Sequence, residues 1–222
     1  MKNRWAVLVI LCVGLAAGGL YAAENQEFPP LRDGDLVFQT STNPQAMPIL
    51  IATAHPFTHM GLVAHDGDRI VVIEAARTVT ATPLADWISR GFLGRVAINR
   101  DPSLTAAQQD KIVAAAKALY GRPYDIFFSF NNDAIYCSEL AYLAYKTAGI
   151  DIGTVQRVSE LHFDNRYVKK LIEQRWARDP ECTSRHYNFE QCYDFILHQE
   201  LVTPASIAKD AQFTRIYSNY PL

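Results

Sequence analysis

HMGLVAHDGDRIVVIE, residues 59–74, is the stretch on which the fold turns. Two runs rich in Val and Ile flank Asp66-Gly67. A two-residue Asp-Gly loop between β-formers is a strong hairpin signal, because both loop positions favour φ > 0. With that loop, His65 pairs with Asp68 and His59 falls directly opposite Glu74 on one face of the ladder. Their Cβ atoms would be about 4.5–5.5 Å apart. A carboxylate so placed accepts a hydrogen bond from one imidazole nitrogen, fixes the tautomer and leaves the other nitrogen as a base. Taken alone, the pair reads more simply as an ordinary cross-strand ion pair on a solvated face.

Outward from the hairpin, Asp35 to Thr40 (DLVFQT) follows the Arg32-Asp33-Gly34 turn and reads as a strand. The apolar segment from Pro44 to Ala54 reads as a helix up to the His55-Pro56 break. Further strands are expected at Arg77–Ala81 and Arg95–Arg100, separated by a short helix around Leu84–Arg90. A helix over Thr105–Tyr120 carries a capping-box pattern in Thr105 and Gln108 and stops at Gly121. The next helix begins near Cys137, with Leu140, Leu143, Ala144 and Thr147 on one face and Gly149 as its stop. An aromatic loop from Asp125 to Tyr136 precedes it. Beyond Ser159 come a helix over Phe163–Arg175, a polar loop holding two cysteines, and a shorter C-terminal helix or extension. The class is α+β, an antiparallel, hairpin-rich sheet packed against helices, with residues 24–222 as a single domain.

Residues 1–23 are expected to be a signal peptide. Lys2 and Arg4 precede an apolar run from Trp5 to Leu20, and small residues lead to the polar Glu24-Asn25-Gln26. The run is too short and Gly-rich for a confident span. Cleavage is placed near Ala22 or Ala23, with an uncleaved anchor as the alternative. Leu11 before Cys12 is too bulky for a lipoprotein site, so no lipid anchor is expected. Cleavage would leave 199 of 222 residues and, because Lys2 and Arg4 go with it, move the formal net charge from −2 to −4. A mildly acidic domain argues against nucleic-acid partners and against anionic membrane surfaces, so no stable membrane insertion is expected after cleavage. The expected location is periplasmic or extracellular.

Three cysteines remain beyond Cys12: Cys137, Cys182 and Cys192. An odd count in an oxidising compartment suggests one pair and one leftover thiol. Cys182 and Cys192 are ten apart and can close a small disulfide ring, leaving Cys137 unpaired. Its place at a helix start, where free N–H groups and the macrodipole favour a thiolate, suits a nucleophile, and the same amides suit an oxyanion. A small core residue is the plainer reading of Cys137 by itself. Together, a cysteine at a helix start, a histidine on a strand and a carboxylate beside it compose a nucleophile, base and orienter. The cysteine follows the histidine in sequence, opposite to papain, as in a circular permutation.

GDLVFQTS (34–41), HPFTHMGLV (55–63), VIEAA (72–76), TPLADWISRG (82–91), GRPYD (121–125) and YCSEL (136–140) resemble the YiiX/YaeF group. That group is a branch of the permuted papain-like, NlpC-related cysteine peptidase and amidase superfamily. The likeness runs from about Gly34 to Gly149. It implies a circularly permuted papain-like (NlpC-type) fold and an exported cysteine hydrolase that cleaves an amide bond, in a cell-wall peptide or similar small amide, through a Cys137 acyl-enzyme. His59 would shuttle the proton and Glu74 would hold the imidazole. The Pro-Tyr of GRPYD implicates Tyr124 in the oxyanion site, and Gln39 and His55 are candidates for lining the cleft. Relatives also include acyltransferases and lipid hydrolases, so an acyl-ester substrate is an alternative; the aromatics Phe127, Phe128, Phe130 and Tyr136 could form its pocket. A catalytically silent binding module is the reading from another class.

No cofactor and no metal are expected. His55 and His59 have H-x-x-x-H spacing, but Pro56 prevents a helix from presenting both on one face. Cys182, His186, Cys192 and His198 could make a zinc knot on paper, whereas in an exported chain a Cys182–Cys192 disulfide accounts for the pair. The expected partner is a small peptide, amide or acyl substrate.

Overall fold

The computed structural model describes residues 27–130 and 132–221, so the expected signal peptide and Cys12 lie outside the described residues. Strands β1 (Leu36–Gln39), β2 (His59–Asp66), β3 (Arg69–Ala75), β4 (Val79–Pro83), β5 (Ala97–Arg100) and β8 (Thr214–Ser218) form one sheet in the order β4-β3-β2-β1-β5-β8. Every neighbouring pair in it is antiparallel. A separate ribbon joins β6 (Val155–Arg157) and β7 (Glu200–Val202).

Strand alternation gives the sheet two apolar faces. Leu36, Phe38, Met60, Leu62, Ala64, Val71 and Ile73 face α3 (Ala106–Lys117) and α4 (Cys137–Thr147), meeting Ile112, Ala116, Leu140 and Ala144. Val37, Val63, Val72 and Ile98 face the other way, toward Leu84, Trp87 and Ile88 of α2 (Leu84–Ser89). The capping box of Thr105 and Gln108 is present at the start of α3. Helix α1 (Ala46–Thr53) follows β1, and α5 (Arg166–Arg175) packs against it.

The hairpin is formed one step later than expected. Asp66 pairs with Arg69, so the two loop residues are Gly67 and Asp68. Gly67 supplies the positive φ, 61°. Asp66 stays in the strand, where its carboxylate accepts from Arg69 at 2.5 Å. The pairing therefore slips by two positions, and continuing it from Leu62↔Ile73 sets Gly61, not His59, opposite Glu74. A two-residue slip preserves alternation, so His59 and Glu74 keep a common face.

The region expected to be a polar, cysteine-bearing loop is helical. Cys182 lies in α6 (Pro180–Ser184) and Cys192 in α7 (Phe189–His198), and the two are disulfide-bonded. Asp179 caps α6, and Asn188 with Gln191 makes a capping box for α7. A last short helix, α8 (Pro204–Ala208), precedes β8. Among the described residues no helix is long and apolar enough to cross a membrane.

Candidate active site

Helix α4 begins at Cys137 because Tyr136 is still extended (φ −99°, ψ 167°) and Glu139 folds back to accept the Tyr136 amide at 3.2 Å. Cys137 is thus the first residue of the helix, where its amide and the next two have no helical carbonyl to bond. The thiol is buried, unpaired with any other cysteine, and lines an apolar cavity.

His59 is the first residue of β2 and sits at an end of the sheet. There its ring stacks near Trp87, 5.9 Å between centroids and 26° between planes. Its Nε2 lies 2.7 Å from Glu74 Oε2, and Cys137 is the other group whose proximity raises the ring's pKa. With Nε2 committed to the carboxylate, Nδ1 is the nitrogen left for sulfur. Burial works to lower the imidazole pKa, but the bonds to Cys137 and Glu74 outweigh it and raise the value to about 9.

Glu74 is fully buried and would be costly there without partners. It has three donors: His59, the Thr82 hydroxyl at 2.6 Å, and the Arg90 guanidinium on its Oε1. Burial pushes its carboxyl upward, while His59, Thr82 and Arg90 more than offset that and hold it at about 2. A carboxylate held by three donors cannot swing, and the imidazole bonded to it cannot either. The buried, bonded pair excludes the ordinary surface ion pair as a description of His59 and Glu74.

Tyr124 is carried by an extended segment tied to both neighbours. Its amide donates to Arg77 O at 3.1 Å, and it bridges Ile135 just ahead of Cys137. Its phenol pKa is driven well above the usual range by burial, with the Cys137 charge adding to the shift. The phenol therefore stays protonated beside the sulfur. Gln39 pairs with His59 across β1 and β2 and is buried, and its Oε1 has no hydrogen-bond partner among the described residues. Gly91 packs against that amide; a Cβ there would fall 2.1 Å from Gln39 Oε1. His55, like Gln39, is not among the residues lining the cavity. Its Nδ1 accepts from the Phe57 amide, its ring meets Phe57 edge-on, and burial with nearby Lys209 and Arg215 lowers its pKa to about 4.

The cavity beside Cys137 has a volume of about 130 Å³. One wall is Ile49 and Ala52 of α1 with Phe128 of the aromatic loop. Leu171 and Ile172 of α5 and Leu201 of β7 line the cavity as well. Its charged lining residues apart from the thiol are Arg175 and Asp179, and both are already engaged. Arg175 donates to Ile126 O and Gln45 Oε1, and Asp179 accepts from the Glu181 and Cys182 amides. Among the described residues no group of three or more His, Cys, Asp or Glu converges to hold a metal ion.

Sequence reasoning assigned no role to Thr82, Trp87 and Arg90, although all three stand in the segment TPLADWISRG. It also missed Gln45 and Arg175, which have no local signal: their bond joins residues 130 positions apart.

Residues 30–217 match the model of the family described as permuted papain-like amidase enzyme, YaeF/YiiX, C92 family. The match runs well past Gly149 and so includes the cavity residues Leu171, Ile172 and Leu201. The uncharacterized protein YiiX of Escherichia coli (strain K12) is 29% identical over 224 residues, covering 100% of this chain and 98% of that protein. The crystal structure of the metalloprotein YiiX from Escherichia coli O157:H7 superposes with a TM-score of 0.76 at 29% identity, covering 86% of this chain and 98% of that one.

Proposed function

Since the chain belongs to the permuted papain-like amidase family and is on that ground a thiol-dependent hydrolase, we propose that Cys137, His59 and Glu74 are its nucleophile, base and orienter, and that its substrate is an amide or ester with an apolar acyl group. The thiolate attacks the carbonyl carbon, and the oxyanion is met by the first amides of α4 and the Tyr124 hydroxyl. Imidazolium His59 then gives its proton to the leaving nitrogen or oxygen, and the C–N or C–O bond breaks. Water, deprotonated by His59, opens the Cys137 thioester and releases the acid. The donor set that a metal would need is not assembled among the described residues, and these steps use the thiol, imidazole and carboxylate alone.

The observation that carries the substrate class is the cavity lining. A cell-wall peptide brings carboxylates and ammonium groups, and burying them without partners costs several kcal/mol. The two charged side chains beside the thiol are already bonded within the chain. An alkyl or aryl acyl group needs none. Amide hydrolysis and lipid-type acyl chemistry thereby converge, because the scissile bond can be an amide while the acyl part is greasy.

The test is a homologous series of p-nitroanilides and p-nitrophenyl esters from acetyl to decanoyl, with succinyl as the charged control and Cys137→Ala as the blank. Burial gives about 0.8 kcal/mol per methylene, so kcat/KM should rise about fourfold per added carbon until the cavity fills. A flat series, or a succinyl substrate that outruns butyryl, rejects the apolar acyl group.

We propose as well that the chain acts outside the cytoplasm. The basic start, the apolar run at residues 5–20 and the bonded Cys182–Cys192 pair support this. Cell fractionation with N-terminal sequencing tests it: the expected product is periplasmic or secreted and starts near residue 23 or 24, and an intact cytoplasmic chain refutes it.

A further inference from the structure

Arg175 and Gln45 lie behind Tyr124 in a single hydrogen-bonded line. Arg175 Nη2 is 3.1 Å from Gln45 Oε1, and Gln45 Nε2 is 2.8 Å from Tyr124 Oη. The direction of every bond in this line is forced. A guanidinium has donors only, so the amide must turn its oxygen toward Arg175 and its nitrogen toward the phenol. The phenol oxygen is then an acceptor toward Gln45, and its own proton must point elsewhere.

We propose that Gln45 and Arg175 are positioning residues that aim the Tyr124 hydroxyl proton at the oxyanion formed on Cys137. This rests on the role given to Tyr124 above and deepens it. The guanidinium orients and polarises the amide, the amide occupies the phenol's lone pair, and the O–H is held as a donor in the direction where negative charge develops. Gln45 is the residue just ahead of α1, and Arg175 ends α5, so the line ties two elements that line the cavity to the segment that carries Tyr124. Arg175 Nη1 adds a bond to Ile126 O at 2.5 Å, two residues from Tyr124.

The discriminating variant is Gln45→Glu. A carboxylate keeps the pairing with Arg175 but accepts the phenol proton and withdraws it from the oxyanion. Two reactions of the same sulfur separate positioning from general damage. Acylation by p-nitrophenyl acetate passes through an oxyanion, whereas alkylation by iodoacetamide is a displacement at carbon that forms none. The two-carbon ester makes no demand on the apolar cavity, so failure of the acyl-chain reading and failure of this one are separable. Gln45→Glu is expected to slow acylation on the order of 10²–10³-fold with alkylation within twofold of wild type. Tyr124→Phe should lose a similar factor, and Gln45→Glu should add nothing in the Phe background. Equal loss of acylation and alkylation, unchanged acylation, or additive losses in the double variant overturns the proposal. So does a wild-type protein that is alkylated at Cys137 but not acylated.

Discussion

His59 Nε2 reaches Glu74 Oε2 at 2.7 Å on a diagonal across the β2–β3 hairpin, with Gly61 occupying the position directly opposite the carboxylate. The space above Gly61 is taken by Val72 and the Ile73 carbonyl of β3. A Cβ at Gly61 would meet Val72 Cγ1 at 2.3 Å, Ile73 O at 2.9 Å and Glu74 Cβ at 3.4 Å. One of these is backbone and cannot yield cheaply. Gly61→Ala should therefore cost about 1–3 kcal/mol of stability, read as a lower urea midpoint. Turnover should also fall, because the β3 backbone at Ile73, next to Glu74, must shift away from β2. An alanine variant with wild-type midpoint and turnover would show that the hairpin has room this register denies it.

Glu74→Gln keeps the shape and removes the charge that holds the imidazolium. Turnover should fall by up to about 10⁴-fold, the scale seen when an orienting carboxylate becomes an amide. Near-wild-type thermal stability is expected, with Thr82 and Arg90 still bonding the side chain. Turnover within twofold of wild type would remove Glu74 from the site.

His59 sets the alkaline limb. Its pKa is raised from 6.5 to about 9, so the proton needed by a leaving amine is present below about pH 9 and lost above it. Amide hydrolysis should fall through pH 9, whereas iodoacetamide alkylation, which needs only the thiolate, should hold. In Glu74→Gln the amide limb should move toward 6.5, since one of the two stabilisers of the imidazolium is gone. A limb that stays at pH 9 in that variant would assign it to another group.

Glu139 has the opposite sign from Glu74. Burial raises its carboxyl from 4.5 to about 8, with Asp125 adding to the effect. The folded state therefore favours the protonated form. The associated stability is complete below pH 4.5 and lost as pH rises through about 8. Glu139→Gln can still accept the Tyr136 amide, so it should match wild type at pH 4 and exceed it in thermal midpoint at pH 9. Equal midpoints at both pH values would place the side chain in solvent.

The Cys182–Cys192 bond closes a ring of sequence separation 10 between α6 and α7. Cys182→Ser with Cys192→Ser should cost about 2–3 kcal/mol by loop entropy. Because α7 supplies Ile196 to the cavity, the double variant should raise KM for long acyl chains more than for acetyl. Equal KM changes across the chain-length series would show that the ring does not support that wall.

Much of the site was legible in the sequence because it depends on local physics. An alternating strand shows its faces whatever its exact partner, and for that reason His59 and Glu74 were expected on one face even though the loop was placed one residue early. Parity survives a two-residue slip; the opposing partner does not, and only the packed hairpin installed Gly61 there. The start of α4 at Cys137 was likewise readable, from the change of pattern after Tyr136. Nothing local, however, brings residue 137 to residue 59. That meeting arises because α4 lies across β2 and β3 and buries Leu140, Ala141 and Ala144 on the inner face of the sheet. The helix around Cys182 has little local signal because it is five residues long and polar, held by its Asp179 cap and a covalent bond, whereas the helix around Cys192 does carry an apolar stripe in Phe189, Cys192, Tyr193 and Ile196 that was legible in the sequence. The line from Arg175 through Gln45 to Tyr124 had no sequence signature at all. Hydrogen bonds between side chains so far apart in the chain are decided by which surfaces exclude water together, and that is settled only when the whole chain has packed.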